Sequence, residues 1–146
     1  RRIASVICQN RPIFSSVELA NIIESANLKV RRKHHPATLT FQALRIAVNG
    51  EIKELESTLD DSLSLLGIGG RLAVITYHSL EDRIVKNFIK RGISKCDCPP
   101  LNLECTCSIN PSIKIINKKP ITPSSTEISS NPRSRSAKMR VIERII

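Results

Sequence analysis

His78 and Ser79 are the residues to which chemistry is most readily assigned. Ahead of them Arg71 through Tyr77 contains an apolar run, Leu72-Ala73-Val74-Ile75, of the fully buried parallel-strand type. Behind them Leu80, Ile84, Val85, Phe88 and Ile89 recur at helical spacing. A strand running into a helix through a polar join makes an elbow. In open α/β sheets, ligands sit at that carboxyl end of the strand. An imidazole and a hydroxyl are the hydrogen-bonding groups offered there. The same residues have a plainer use. Ser79-Leu80-Glu81-Asp82 is a capping box, with Ser79 as the N-cap and Asp82 three positions on. The two uses are compatible. Glu81 and Arg83 read as solvated or paired with neighbours.

A second constellation is made of thiols. Cys96-Asp97-Cys98 and Cys105-Thr106-Cys107 are two C-x-C pairs with six residues between them. Four thiolates suit a closed tetrahedral zinc site, structural rather than catalytic because no position stays open. C-x-C is a less typical spacing than C-x-x-C, and reduced free thiols are the other reading. Cys8 reads as an ordinary helix residue.

The third set is cationic. Arg31-Arg32-Lys33-His34-His35 forms one run, and Arg133, Arg135, Lys138 and Arg140 follow Asn131-Pro132. Arg offers a two-pronged fork to phosphate and Ser a short hydroxyl donor. A solvated loop or a docking surface held by ion pairs is the alternative. The whole chain of 146 residues carries a net charge of +10, which favours an anionic partner, nucleic acid first and a membrane surface second. Aromatic residues are only 3%, which argues against a base-stacking platform. No apolar run reaches membrane-spanning length, and no signal peptide is visible. A cytoplasmic location, with thiols kept reduced, is expected. Arg1-Arg2 in place of an initiator Met points to the C-terminal half of something larger.

These groups need elements to position them. Residues 1–35 read as helical and basic, with Ser15 and Glu18 as a capping box. Residues 38–49 form a further helix closed by Asn49-Gly50. Residues 51–66 are the clearest helix, with Ile52, Leu55, Leu59, Leu63 and Leu66 in steps of three or four. Gly67-Ile68-Gly69-Gly70 ends it, with a left-handed glycine expected just past the helix. Residues 113–117 and 138–146 are strand candidates that would pair antiparallel across a long loop, 118–137. The order helix, glycine turn, strand, elbow, helix is α/β grammar.

Three segments then carry a resemblance. They are His35-Pro36-Ala37-Thr38-Leu39-Thr40-Phe41-Gln42-Ala43-Leu44-Arg45-Ile46-Ala47-Val48-Asn49, Tyr77-His78-Ser79-Leu80-Glu81-Asp82-Arg83-Ile84-Val85-Lys86, and Asn131-Pro132-Arg133-Ser134-Arg135-Ser136-Ala137-Lys138-Met139-Arg140. In this order they closely resemble the bacterial 16S rRNA cytosine-N4 methyltransferase family. The resemblance implies S-adenosylmethionine as methyl donor and a decoding-centre cytosine of the small ribosomal subunit as acceptor. It implies a class I Rossmann-type fold with an inserted helical domain, of which this chain resembles the C-terminal portion. Residues 1–48 would end the inserted domain, and residues 49–146 would continue the catalytic domain. No G-x-G-x-x-G follows a strand here, so the cofactor loop is expected outside the chain, in a missing N-terminal half or a separate partner chain. His78 and Ser79 would then position a flipped base. Arg31, Arg32, Lys33, His35, Arg45, Arg133, Arg135 and Lys138 would contact RNA, His35 and Arg45 from near the domain junction. A non-enzymatic basic RNA-binding module, or the remnant of a split gene, is the competing reading.

Overall fold

The structure, a computed structural model, describes residues 1–26, 35–93 and 110–146. They form a mixed α/β arrangement divided into two compact units, Arg1–Glu51 and Ile52–Ile146. In the first unit α1 (Arg2–Gln9) packs on α2 (Ser16–Ala26), and α3 (Thr38–Asn49) follows. The capping box before α2 forms as expected. Ser15 Oγ accepts from the Glu18 N–H at 3.1 Å, while the Glu18 carboxylate accepts from the Phe14 N–H at 2.9 Å. Ile23, Ala26 and Ala37 are buried.

The second unit holds α4 (Glu51–Leu65, its first residue shared with the boundary), β1 (Arg71–Thr76) and α5 (Ser79–Ile93). Beyond them come β2 (Ile113–Ile115), α6 (Ser125–Ser130), a 3-10 turn over Pro132–Ser136, and β3 (Lys138–Arg144). Among the described residues the sheet has three strands in the order β1-β3-β2, both pairings antiparallel. The expected antiparallel terminal pair is therefore present. The expected fully buried parallel strand is not: β1 pairs antiparallel with β3, and its exposure alternates. A short apolar run fits either setting, and the pairing partner decides. Leu72 and Val74 turn toward the core while Ile75 is 54% exposed.

The core is built where the α4 and α5 stripes meet the inner sheet face. Leu59, Val85, Phe88, Ile89, Ile113 and Ile142 are buried together, with Leu55, Leu63 and Ile84 packed against them. Each such side chain contributes about 1.5–3 kcal/mol of burial. Gly92 lets the end of α5 approach β2, since a Cβ there would stand 2.6 Å from the Ile113 side chain.

Two features depart from the sequence expectation. The end of α4 is not closed by a left-handed Gly67; the left-handed residue is Gly69, at φ 82. The helix end is instead satisfied by Arg144 of β3, whose guanidinium donates to the carbonyls of Leu63, Ser64 and Leu66. A cation on the last carbonyls also suits the helix dipole. Nor is 118–137 a plain loop. Ser124 Oγ accepts from the Glu127 N–H at 3.1 Å and starts α6, and Asn131 Oδ1 accepts from the Arg133 N–H at 3.3 Å to start the 3-10 turn. Ser and Asn side chains seed such short structure where composition alone reads as loop.

Candidate functional site

The elbow is built by a capping box, one residue earlier than the sequence suggested. α5 begins at Ser79, so Ser79 is not its cap. His78 Nδ1 accepts from the Glu81 N–H at 3.3 Å. In return Glu81 Oε2 accepts from the His78 N–H at 3.1 Å and the Tyr77 N–H at 2.7 Å. The box is thus His78-x-x-Glu81, an imidazole standing where a hydroxyl is usual. Glu81, expected to be solvated, is its second member. Ser79 is exposed, and its hydroxyl makes no hydrogen bond among the described residues.

An imidazole that accepts at Nδ1 carries its proton on Nε2 when neutral. His78 Nε2 lies 3.1 Å from Glu81 Oε1. That contact is electrostatic without hydrogen-bond alignment, because the buried Nε2 has no hydrogen-bond partner among the described residues. The side chain is 15% exposed. The elbow therefore holds one imidazole fixed on Nδ1, with Nε2 buried beside the Glu81 carboxylate.

Asp82, expected as part of the cap, anchors the helix to the sheet instead. It is 5% exposed. Its carboxylate accepts from Arg140 Nε of β3 at 2.8 Å and lies 3.2 Å from Lys86 Nζ. Burial pushes the Asp82 carboxyl up, but the hydrogen bonds and charges of Arg140 and Lys86 outweigh it and hold it below its ordinary value. Arg140, read from sequence with the phosphate-binding set, is spent inside the fold. The signal that could have found this pair was an Asp just inside a helix facing a strand Arg.

The β1–β3 pairing brings two of the sequence segments together. Thr76, the last residue of β1, stands opposite Lys138, the first of β3, and Ile75 stands opposite Met139. The 3-10 turn that carries Arg133 and Arg135 leads directly into Lys138. Ser134 between the two arginines is buried, its hydroxyl donating to the Asn131 carbonyl at 2.8 Å. Arg133 and Arg135 are exposed and have no acidic partner among the described residues. Cations and elbow thus share one end of the sheet.

His35 and Arg45 belong to the other unit, and both are engaged locally. His35 Nδ1 accepts from the Ala37 N–H at 3.2 Å. Arg45 binds the Glu51 carboxylate through Nε at 2.8 Å and Nη2 at 3.0 Å. Arg31, Arg32 and Lys33 lie outside the described residues, as do Cys96, Cys98, Cys105 and Cys107 with their expected zinc. Among the described residues no group of His, Cys, Asp and Glu could hold a metal.

The glycine turn between α4 and β1 spends its backbone on the sheet: Gly69 N–H donates to the Arg144 carbonyl at 2.7 Å, and Gly70 accepts from the Arg144 N–H at 2.9 Å. Those glycines do not fit a nucleotide-binding loop. A cleft of about 320 Å³ between α4 and α5 is lined by residues such as Asp60, Phe88 and Arg91 and contains none of the predicted site residues. No helix of the described residues is long and apolar enough to cross a membrane.

The elbow and the exposed Arg133 and Arg135 thus stand together on an α/β scaffold. Residues 1–145 match the model of the MraW methylase family, and the chain belongs to that family. It is similar to the ribosomal RNA small subunit methyltransferase H of Dehalococcoides mccartyi, at 57% identity over 146 residues, 100% of this chain and 42% of the relative. The protein of that name from Lawsonia intracellularis is 50% identical over 151 residues, 99% of this chain and 48% of the relative. The one from Finegoldia magna is 45% identical over 152 residues, 100% of this chain and 49% of the relative. The chain spans less than half the length of these curated relatives.

Proposed function

We propose that this chain is the nucleobase- and RNA-facing part of an S-adenosylmethionine-dependent methyltransferase that modifies N4 of a cytosine in small-subunit rRNA. The observation that carries the reading is the antiparallel pairing of Thr76 with Lys138, which sets the His78 elbow beside the Arg133–Arg135 turn. Membership of a methylase family supports the reaction class. The division into units at Glu51 supports two parts, the end of a helical insertion and the later half of a Rossmann-type catalytic domain. The methyl donor is bound by residues beyond this chain.

Direct methyl transfer to an amine needs no covalent intermediate on the protein. What it needs is an extruded base held in line and a partner for its polar edge. His78 supplies the Nε2 donor once the incoming base uncovers it and draws it from the Glu81 carboxylate, with Nδ1 held by the Glu81 N–H. Ser79, free of capping duty, offers a hydroxyl to the pyrimidine edge. Asp82 and Arg140 act one step back, fixing the start of α5 on β3. Arg133, Arg135 and Lys138 meet the phosphates on either side of the base.

The test is a methyl-transfer assay with the protein at its natural length, S-adenosylmethionine and unmodified small subunits. N4-methylcytidine among the digested nucleosides is the expected product. RNA binding without any methylated product would leave the non-enzymatic module as the reading.

A further inference from the structure

Two lysines outside the three motif segments, Lys118 and Lys119, stand at the same end of the sheet. Lys118 and Lys119 are exposed, and neither has an acidic partner among the described residues. They are nevertheless firmly mounted. Asn117 Nδ2 donates to the Lys119 carbonyl at 2.7 Å and the Met139 carbonyl at 3.2 Å, and its Oδ1 accepts from the Val141 N–H at 2.6 Å. On the far side of the bend, Ile121 and Met139 exchange backbone hydrogen bonds of 2.9 and 2.8 Å. One side chain and one bridge thus hold the lysine bend to the start of β3.

Met139 is opposite Ile121 on one side and Ile75 on the other. Two strand spacings, roughly 10 Å, therefore separate this bridge from the end of β1. Lys118 and Lys119 lie three and two residues before Ile121; Arg135 lies four before Met139. Four cations without carboxylate partners gather at the sheet end that also carries the elbow. Two other cations of the sheet are paired: Arg71 with Glu143 at 3.0 Å, and Arg140 with Asp82 at 2.8 Å. Lys114 faces Glu143 across the β2–β3 pair.

We infer that Lys118 and Lys119 complete, with Arg133 and Arg135, a rigid phosphate-binding rim that grips the RNA backbone flanking the target base. The inference rests on the RNA-methylating reading above and adds a second contact element to it. RNA is favoured over an anionic membrane because the rim is a bend and a turn beside a base-facing elbow. It is not an amphipathic helix with an apolar face to insert. Lysines mounted in advance lose less freedom on binding than lysines on a loose loop.

The test uses the protein at its natural length and measures binding to small subunits across a salt series, with methyl transfer read in parallel. Each phosphate contact contributes about 0.7–0.9 to the slope of log K against log salt, so K118A/K119A should flatten it by roughly 1.4–1.8. Arg substitution at both positions should restore the slope, and K114A should leave it unchanged. A wild-type slope in K118A/K119A, with methylation intact, overturns the rim and leaves the proposed function standing. Loss of binding to anionic vesicles without any change toward RNA also overturns it. A wild-type protein that neither binds nor methylates the subunit removes the function and the rim together.

Discussion

Two helices of this chain start with the same device built from different parts. Before α2, Ser15 accepts from the Glu18 N–H, and Glu18 returns a bond to the backbone at Phe14. Before α5, His78 accepts from the Glu81 N–H, and Glu81 returns bonds to Tyr77 and His78. The Ser15 box is exposed and its hydroxyl is consumed by the cap. In the half-buried His78 box the cap consumes Nδ1, and Nε2 stands buried 3.1 Å from Glu81 Oε1 without a hydrogen-bond partner among the described residues. A hydroxyl would cap as well. The imidazole at the second site is thus more than the helix requires, and that surplus is the basis of the role proposed for the elbow.

The second difference is what anchors each helix start. α5 is tied down by the Asp82–Arg140 pair, with side chains only 7% and 13% exposed. Removing one member strands a buried charge, so Arg140→Ala should destabilise by about 3–5 kcal/mol in chemical unfolding. The exposed Arg71–Glu143 pair is the comparison, and Arg71→Ala should cost under about 1 kcal/mol. Equal losses would show that the anchor is no stronger than a surface ion pair.

The anchor also sets a pH signature. The folded Asp82 carboxyl lies below its ordinary value of 3.8, so the pair's stabilisation is fully present above that value. It is lost as the pH falls from there through the lower folded value. Acid titration of unfolding free energy should show this loss in the wild type and not in Asp82→Asn. An identical acid limb in both would remove Asp82 as its source.

The smallest effect belongs to the plain cap. Ser15→Ala should cost about 0.5–1 kcal/mol and leave methyl transfer untouched, since its hydroxyl has no other task. A catalytic loss there would abolish the contrast between the two boxes.

Local patterns were legible in the sequence, and long-range ones were not. The stripe Leu55, Leu59, Leu63 announced the core face of α4, and Ser15 with Glu18 announced a helix start, because both signals lie within one or two turns. The elbow box was read one residue late, as Ser79–Asp82, because hydroxyl and carboxylate fit the usual pattern and His is not a usual cap. The α4 end could not be read from its glycines, since its partner Arg144 lies 78 to 81 positions away. Likewise Leu72–Ile75 showed a strand but not its antiparallel neighbour, and Arg140 looked like its cationic neighbours until Asp82 claimed it. Apolar spacing reveals faces; which faces meet is a property of the fold.

On the proposed reading His78 both caps α5 and meets the base, and His78→Ser separates the two roles. It converts the elbow to Ser-x-x-Glu, the same box as at Ser15, with the Glu81 bonds to backbone retained. In the protein at its natural length, unfolding stability should stay within about 0.5 kcal/mol of wild type. The methyl-transfer rate should fall about tenfold or more, the equivalent of one hydrogen bond to the base. Unchanged stability with an unchanged rate would mean that His78 is a cap and nothing else.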